Sequence, residues 1–143
     1  MTNAPDKGAW WWIFAAWLFS LAATGGVLFV GEVIGQKPCV LCWYQRVFMF
    51  PLPILLGVGC YLSDPKVWRY TGPLAAAGGL IAVYHTLLYF GVLSEGIQPC
   101  EIEVPCTGDD MTLFGVFPLP VLSVAAFGAI CLSLVLSGVK SKQ

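Results

Sequence analysis

The sequence predicts an all-α membrane protein: a bundle of four transmembrane helices with both termini on the cytoplasmic side. Three observations carry that expectation. Of 143 residues, 58% are hydrophobic and only 10% are charged, with a mean hydropathy of +0.80. The few charges fall between long apolar blocks, and the lysines and arginines are distributed unevenly among the connecting loops. A soluble domain carries about 25% charged residues, so this chain has too few polar side chains to coat a water-soluble globule. Disorder is excluded too, since it requires low hydrophobicity and high net charge. Seven Lys and Arg against eight Asp and Glu leave no basic excess for a nucleic-acid partner.

Residues 1–143 read as one domain, with helices at about 9–31, 43–62, 69–93 and 114–137 and outer loops at 32–42 and 94–113. Crossing a hydrocarbon core roughly 30 Å thick takes about 20 helical residues. The first span opens on Trp10, Trp11 and Trp12 and stays uncharged from residue 8 to 31. Ala22, Ala23 and Thr24 imitate a signal cleavage site, but the run continues past them and reads as a retained helix. The second uncharged block, 47–63, is short; it spans only if Trp43, Tyr44 and Gln45 join the helix, which puts Arg46 in its first turns. Pro51 and Pro53 are expected to kink it.

The third span comes from uncharged residues 70–94, with His85 as its imidazole. If the helix ends near Ser94, His85 lies about 13 Å from that end at 1.5 Å per residue. An ionisable side chain at such depth is costly and marks function. The fourth span lies within residues 111–139, with Pro118 and Pro120 near its start. Gly25–Gly26, Gly57 with Gly59, and Gly78–Gly79 are expected to let helices approach closely. No block alternates polar with apolar residues as a barrel strand would.

Orientation follows from the positive charges. Lys7, then Lys66 and Arg69, then Lys140 and Lys142 mark the N-terminus, the second loop and the C-terminus as inside. The third loop holds Glu95, Glu101, Glu103, Asp109 and Asp110 without a single Lys or Arg, and so lies outside. Lys37 and Arg46 run against this bias, which calls for a functional reason.

The six cysteines are of two kinds. Cys60 and Cys131 lie among small and aliphatic neighbours and read as buried hydrophobes. Cys39, Cys42, Cys100 and Cys106 all fall on the outer side, where disulfides persist. Cys39-Val40-Leu41-Cys42 opens the second helix. Positions i and i+3 share a helix face, so the sulfurs can meet. Free N–H groups and the positive dipole end at that terminus stabilise a thiolate. Arg46, one turn further, adds permanent positive charge. A lone C-x-x-C also serves zinc sites; the arginine at the mouth of an apolar helix favours redox chemistry. Cys100 and Cys106 close an acidic loop containing Pro105. They form either a static staple or, beside a redox-poised pair, an exchangeable disulfide that carries electrons from a soluble partner.

These residues resemble the DsbB/BdbC family of disulfide bond formation proteins. The resemblance covers nearly the whole chain: four helices, Pro38-Cys39-x-x-Cys42-x-x-Gln45-Arg46 opening the second, Tyr84-His85-Thr86 in the third, and a cysteine pair between the third and fourth. The short spacing of Cys100 and Cys106 resembles the compact BdbC-like branch. The resemblance implies an enzyme of the bacterial inner membrane that reoxidises an extracytoplasmic DsbA-like thioredoxin-fold dithiol and reduces a membrane quinone, ubiquinone or menaquinone. It implies redox-active disulfides Cys39–Cys42 and Cys100–Cys106, with the partner attacking the loop pair at Cys100. Cys39 would exchange with the loop pair and Cys42 would face the quinone. Arg46 would stabilise negative charge on thiolate and ring. His85 reads either as a quinone-binding residue that hydrogen-bonds a ring carbonyl or passes it a proton, or as a neutral histidine bonded to another helix, and Gln45 either bonds a quinone oxygen or lines the helix mouth.

Two other readings are set against it. A vitamin K epoxide reductase-like protein also combines four helices, quinones and C-x-x-C, but its active pair lies on the last helix, where this chain has only Cys131. A structural or metal-binding membrane protein would use its four outer cysteines as staples or as a zinc site.

Overall fold

In a computed structural model, which describes residues 7–64, 66–93 and 112–141, four helical segments are long and apolar enough to cross a membrane. The first is helix α1 (Lys7–Leu28), extended by a π-helical turn at Phe29–Val33. The second is two helices in series, α2 (Val40–Met49) and α3 (Pro51–Leu62). Helix α4 (Trp68–Tyr89) and helix α5 (Leu119–Lys140) are the third and fourth. The result is an all-α, four-helix membrane protein.

Local chemistry explains each boundary. The π turn places Ile34 N–H on the Phe29 carbonyl at 3.2 Å, and the chain leaves it through Gly35 at φ +73°. Helix α2 begins at Val40, earlier than expected, because Cys39 adopts the extended conformation of an N-cap. The anticipated kink is a division at Phe50, whose N–H still reaches the Arg46 carbonyl at 2.9 Å. Pro51 and Pro53 then withhold the N–H groups that the preceding turn would accept. Helix α4 stops at Tyr89, short of 93, so His85 lies one turn, about 6 Å, from its end rather than deep within it. Residues 114–118 are not helical. Thr112–Leu113 and Phe117–Pro118 pair as a short antiparallel hairpin, turned by Phe114 at φ 54° and Gly115 at φ 72°, and α5 starts after Pro118.

Around the bundle, α1 packs on α5 and α3, and α4 packs on α5 and α2. Ile13, Ala16, Leu52, Leu56, Ala75, Phe127 and Ile130 form the main core. Large apolar side chains such as Phe19, Ile54, Leu80 and Leu132 point outward, as lipid-facing positions require. A Cβ on Gly78 would overlap the Phe127 ring, and one on Gly59 would lie 2.6 Å from Val67 Cγ2. Those two glycines set the approach of their helices. Gly25 and Gly26 do not: a Cβ at either position would meet nothing within 4 Å, so the expected close approach is absent there.

Candidate redox site at the α2–α4 junction

The start of α2 lies against the end of α4, because the second and third spans run antiparallel. Around this junction Cys39, Leu41 and Leu88 form a second, smaller core, bordered by Cys42, Ile81, Tyr84 and Tyr89. The cysteines therefore stand in a largely apolar wall with one polar group opposite them, His85.

Cys39 is the N-cap of α2, and its sulfur accepts the Cys42 backbone N–H at 3.3 Å. The Cys39 and Cys42 sulfurs are 3.0 Å apart as thiols. His85 Nε2 faces Cys39 Sγ at 3.8 Å, and His85 Nδ1 meets Gln45 Nε2 at 3.0 Å. Cys39, Gln45 and His85 are buried, whereas Cys42 is half-buried. Cys39, Cys42 and His85 offer three ligand atoms within 4.8 Å of one another.

The electrostatics single out Cys39. Its thiol is lowered from the ordinary 9.0 to about 5, first by the Cys42 thiol donating to its sulfur, against the opposing effect of burial. The neighbouring His85 and the Cys42 backbone N–H lower it further. The arrangement thus produces one stabilised thiolate, backed by a helix N-terminus.

Arg46 stands one turn after Cys42 on the same helix and faces the first span. Its guanidinium carbon is 5.2 Å from the centre of the Trp43 ring, and a Cβ on Gly31 would lie 3.1 Å from its Nη2. The side chain thus covers the π turn of the first span, where a Cβ at position 31 would press on the guanidinium. Among the described residues no carboxylate pairs with it, and Phe29, Val33, Trp43 and Val47 are exposed on the same two segments. A cation set in such an outward-facing apolar surface suits a lipid-soluble oxyanion or carbonyl.

Of the residues singled out from sequence, Cys39, Cys42, Gln45 and His85 come together, and Arg46 approaches from the side of the first span. Cys100 and Cys106 lie outside the described residues. His85 and Gln45 contact each other, with His85 turned toward Cys39; nothing in the sequence linked them, because 40 positions separate them. Gly31 is the neighbour that sequence reasoning missed. Cys60 and Cys131 lie elsewhere: the Cys60 carbonyl accepts Trp10 Nε1–H at 3.2 Å, and Cys131 lines an apolar groove between α4 and α5.

Residues 9–137 match the family model described as "Disulfide bond formation protein DsbB". A "Probable disulfide formation protein" of Metapseudomonas resinovorans is 49% identical over 137 residues, covering 95% of each chain. "Disulfide bond formation protein C" of Bacillus subtilis (strain 168) is 37% identical over 131 residues, which is 91% of this chain and 95% of that one. A "Probable disulfide formation protein" of Deinococcus radiodurans is 38% identical, covering 82% of each. No solved structure matches the chain significantly.

Proposed function

Because the chain belongs to the DsbB family of disulfide bond formation proteins, we propose that it oxidises a DsbA-like thioredoxin-fold dithiol outside the cytoplasmic membrane and delivers the electrons to a membrane quinone. The observation that carries this reading is the buried, low-pKa Cys39 thiol at a helix N-terminus, 3.0 Å from a more exposed Cys42 thiol. A buried member and an accessible one suit a pair that exchanges with one partner and is reoxidised by another.

The partner's thiolate attacks the Cys100–Cys106 disulfide at Cys100, and the partner's second thiol resolves that mixed disulfide, leaving the partner oxidised and the loop pair reduced. A loop thiolate then attacks Cys39 in the Cys39–Cys42 disulfide, with Cys42 as the leaving thiolate. The second loop thiol closes Cys100–Cys106 again. The released Cys42 sulfur takes up a proton, and two electrons now reside on the reduced pair, with Cys39 as the thiolate and Cys42 as the thiol donating to it.

The quinone, ubiquinone or menaquinone, supplies a two-electron, two-proton acceptor dissolved in the bilayer. Arg46 is the residue to hold its oxygen, supported by its position on Gly31 and its exposed apolar surroundings. Cys42, half-buried and one turn before Arg46, is the thiol on that side. His85 we assign to Cys39: with Gln45 donating to Nδ1, the ring proton is on Nε2 and is directed to the Cys39 sulfur. An imidazole N–H directed at the sulfur then stabilises the thiolate. The distribution of lysine and arginine supports both termini inside and both cysteine pairs outside, in the inner membrane.

The test is quinone reduction by the purified, detergent-solubilised protein given a reduced DsbA-like partner, followed by ring absorbance. Wild type and Cys60→Ser consume quinone and Cys42→Ser does not. Absence of turnover in wild type across ubiquinones and menaquinones overturns the reading.

A further inference from the structure

From the Cys39–Cys42–His85 cluster we infer that the reduced protein binds a borderline-soft divalent cation of the zinc type, which holds the dithiol out of exchange. Two sulfurs from the start of α2 and one imidazole from the end of α4 present three ligand atoms within 4.8 Å of one another. In a tetrahedral zinc site, metal–sulfur and metal–nitrogen bonds of about 2.3 and 2.0 Å place neighbouring ligand atoms about 3.5–3.8 Å apart. The Cys39 Sγ to His85 Nε2 distance is already 3.8 Å, and the sulfurs, at 3.0 Å, need separate by less than an ångström through rotation of Cys42. Two thiolates and an imidazole select zinc-like ions over magnesium or calcium.

The surroundings supply what such a site needs beyond its ligands. Gln45 is buried and bonded to His85 Nδ1, the nitrogen that does not face the sulfurs. Its amide carries both a donor and an acceptor. Turned one way it donates to Nδ1 and leaves the proton on Nε2; turned the other, its Oε1 accepts Nδ1–H and frees the Nε2 lone pair for the metal. A histidine held through its distal nitrogen is the usual support of a metal ligand. Two thiolates neutralise a divalent charge, so the occupied site adds no net charge to this apolar wall. Half-buried Cys42 leaves the fourth position to solvent.

Binding moves no electrons. Each coordinated sulfur that still carries a proton gives it up to solvent, and both sulfurs become metal-bound thiolates. Oxidation removes both donors at once, since a disulfide joins the sulfurs at about 2.05 Å. The site therefore exists only in the reduced protein, and the metal opposes reoxidation.

The experiment is a cobalt titration of the full chain in detergent, reduced with a phosphine and stripped of metal beforehand. The expected result is thiolate-to-cobalt charge transfer in the near ultraviolet with tetrahedral visible bands, both abolished by added Zn²⁺. Oxidised wild type shows neither, and the Cys100→Ser/Cys106→Ser double variant keeps both. His85→Ala and Gln45→Leu weaken cobalt binding by about 10- to 100-fold. His85→Cys restores it with stronger charge transfer, a gain that a purely structural role for the ring would not produce. Equal binding by oxidised and reduced wild type overturns the inference, as does loss of binding when only the loop pair is replaced. The readout uses no quinone and no partner protein, so its failure leaves the proposed disulfide exchange intact.

Discussion

Gln45 and His85, 40 positions apart, meet through a buried 3.0 Å contact between the amide Nε2 and the ring Nδ1. That contact holds the ring's plane, and the way the amide is turned decides which tautomer the ring adopts and so what the opposite nitrogen offers Cys39. A residue on α2, three positions after Cys42, thereby controls a histidine on α4. The dyad lies at the bundle mouth, where an unpartnered imidazole would have to draw in water.

Removing the amide exposes that dependence. Gln45→Leu leaves Nδ1 buried without its partner, at a cost of about 1–3 kcal/mol. A lowered midpoint of thermal unfolding in detergent is expected, together with slower alkylation of Cys39. An unchanged alkylation rate would show that His85 does not act on that sulfur.

The reactivity of Cys39 follows its lowered pKa. A thiol held at about 5 instead of 9.0 is mostly thiolate from about one pH unit above that value. In reduced, chelator-treated Cys100→Ser/Cys106→Ser protein, its alkylation rate should climb through about pH 5 and be flat from about pH 6 to 8. Cys42→Ala removes the first cause of the shift and moves the climb upward, toward the ordinary thiol range. Mass mapping of the labelled peptide checks both.

Arg46 is expected to act on the acceptor and not on the partner. Arg46→Gln removes a charge-assisted hydrogen bond worth about 1.5–3 kcal/mol, which corresponds to roughly 10- to 100-fold in the quinone concentration needed for half-maximal turnover. Gly31→Leu, which places side-chain atoms where the guanidinium lies, acts in the same direction. Single-turnover exchange with the reduced partner should be unaffected in both. An equal loss in that exchange would place Arg46 in the thiol chemistry instead.

The two glycine pairs separate in stability. Gly78→Ala drives a Cβ into the Phe127 ring and costs about 1–3 kcal/mol by overpacking. Gly25→Ala meets open space and stabilises its helix by up to about 1 kcal/mol. Thermal unfolding of the two variants in the same detergent should diverge in opposite directions from wild type.

Composition and charge placement were enough to read four apolar helices, because burying a polar backbone in hydrocarbon leaves a chain almost no other solution. The C-x-x-C at the start of the second helix was legible for a similar reason: its geometry is local, set by helical spacing and the free N–H groups of one turn. Features that depend on two segments meeting were not legible. The π turn that carries Gly31 beneath Arg46, the end of α4 at Tyr89 that brings His85 to the bundle mouth, and the closeness of Gln45 to that ring belong to this class. Gly25 and Gly78 are both helical glycines in apolar runs, and only the position of Phe127 on another helix distinguishes them. The chain by itself determined four helices long and apolar enough to cross a membrane and a C-x-x-C opening the second. The packing of α2 against α4 decided which side chains touch, because a hydrogen bond across helices depends on register and rotation that no single helix encodes.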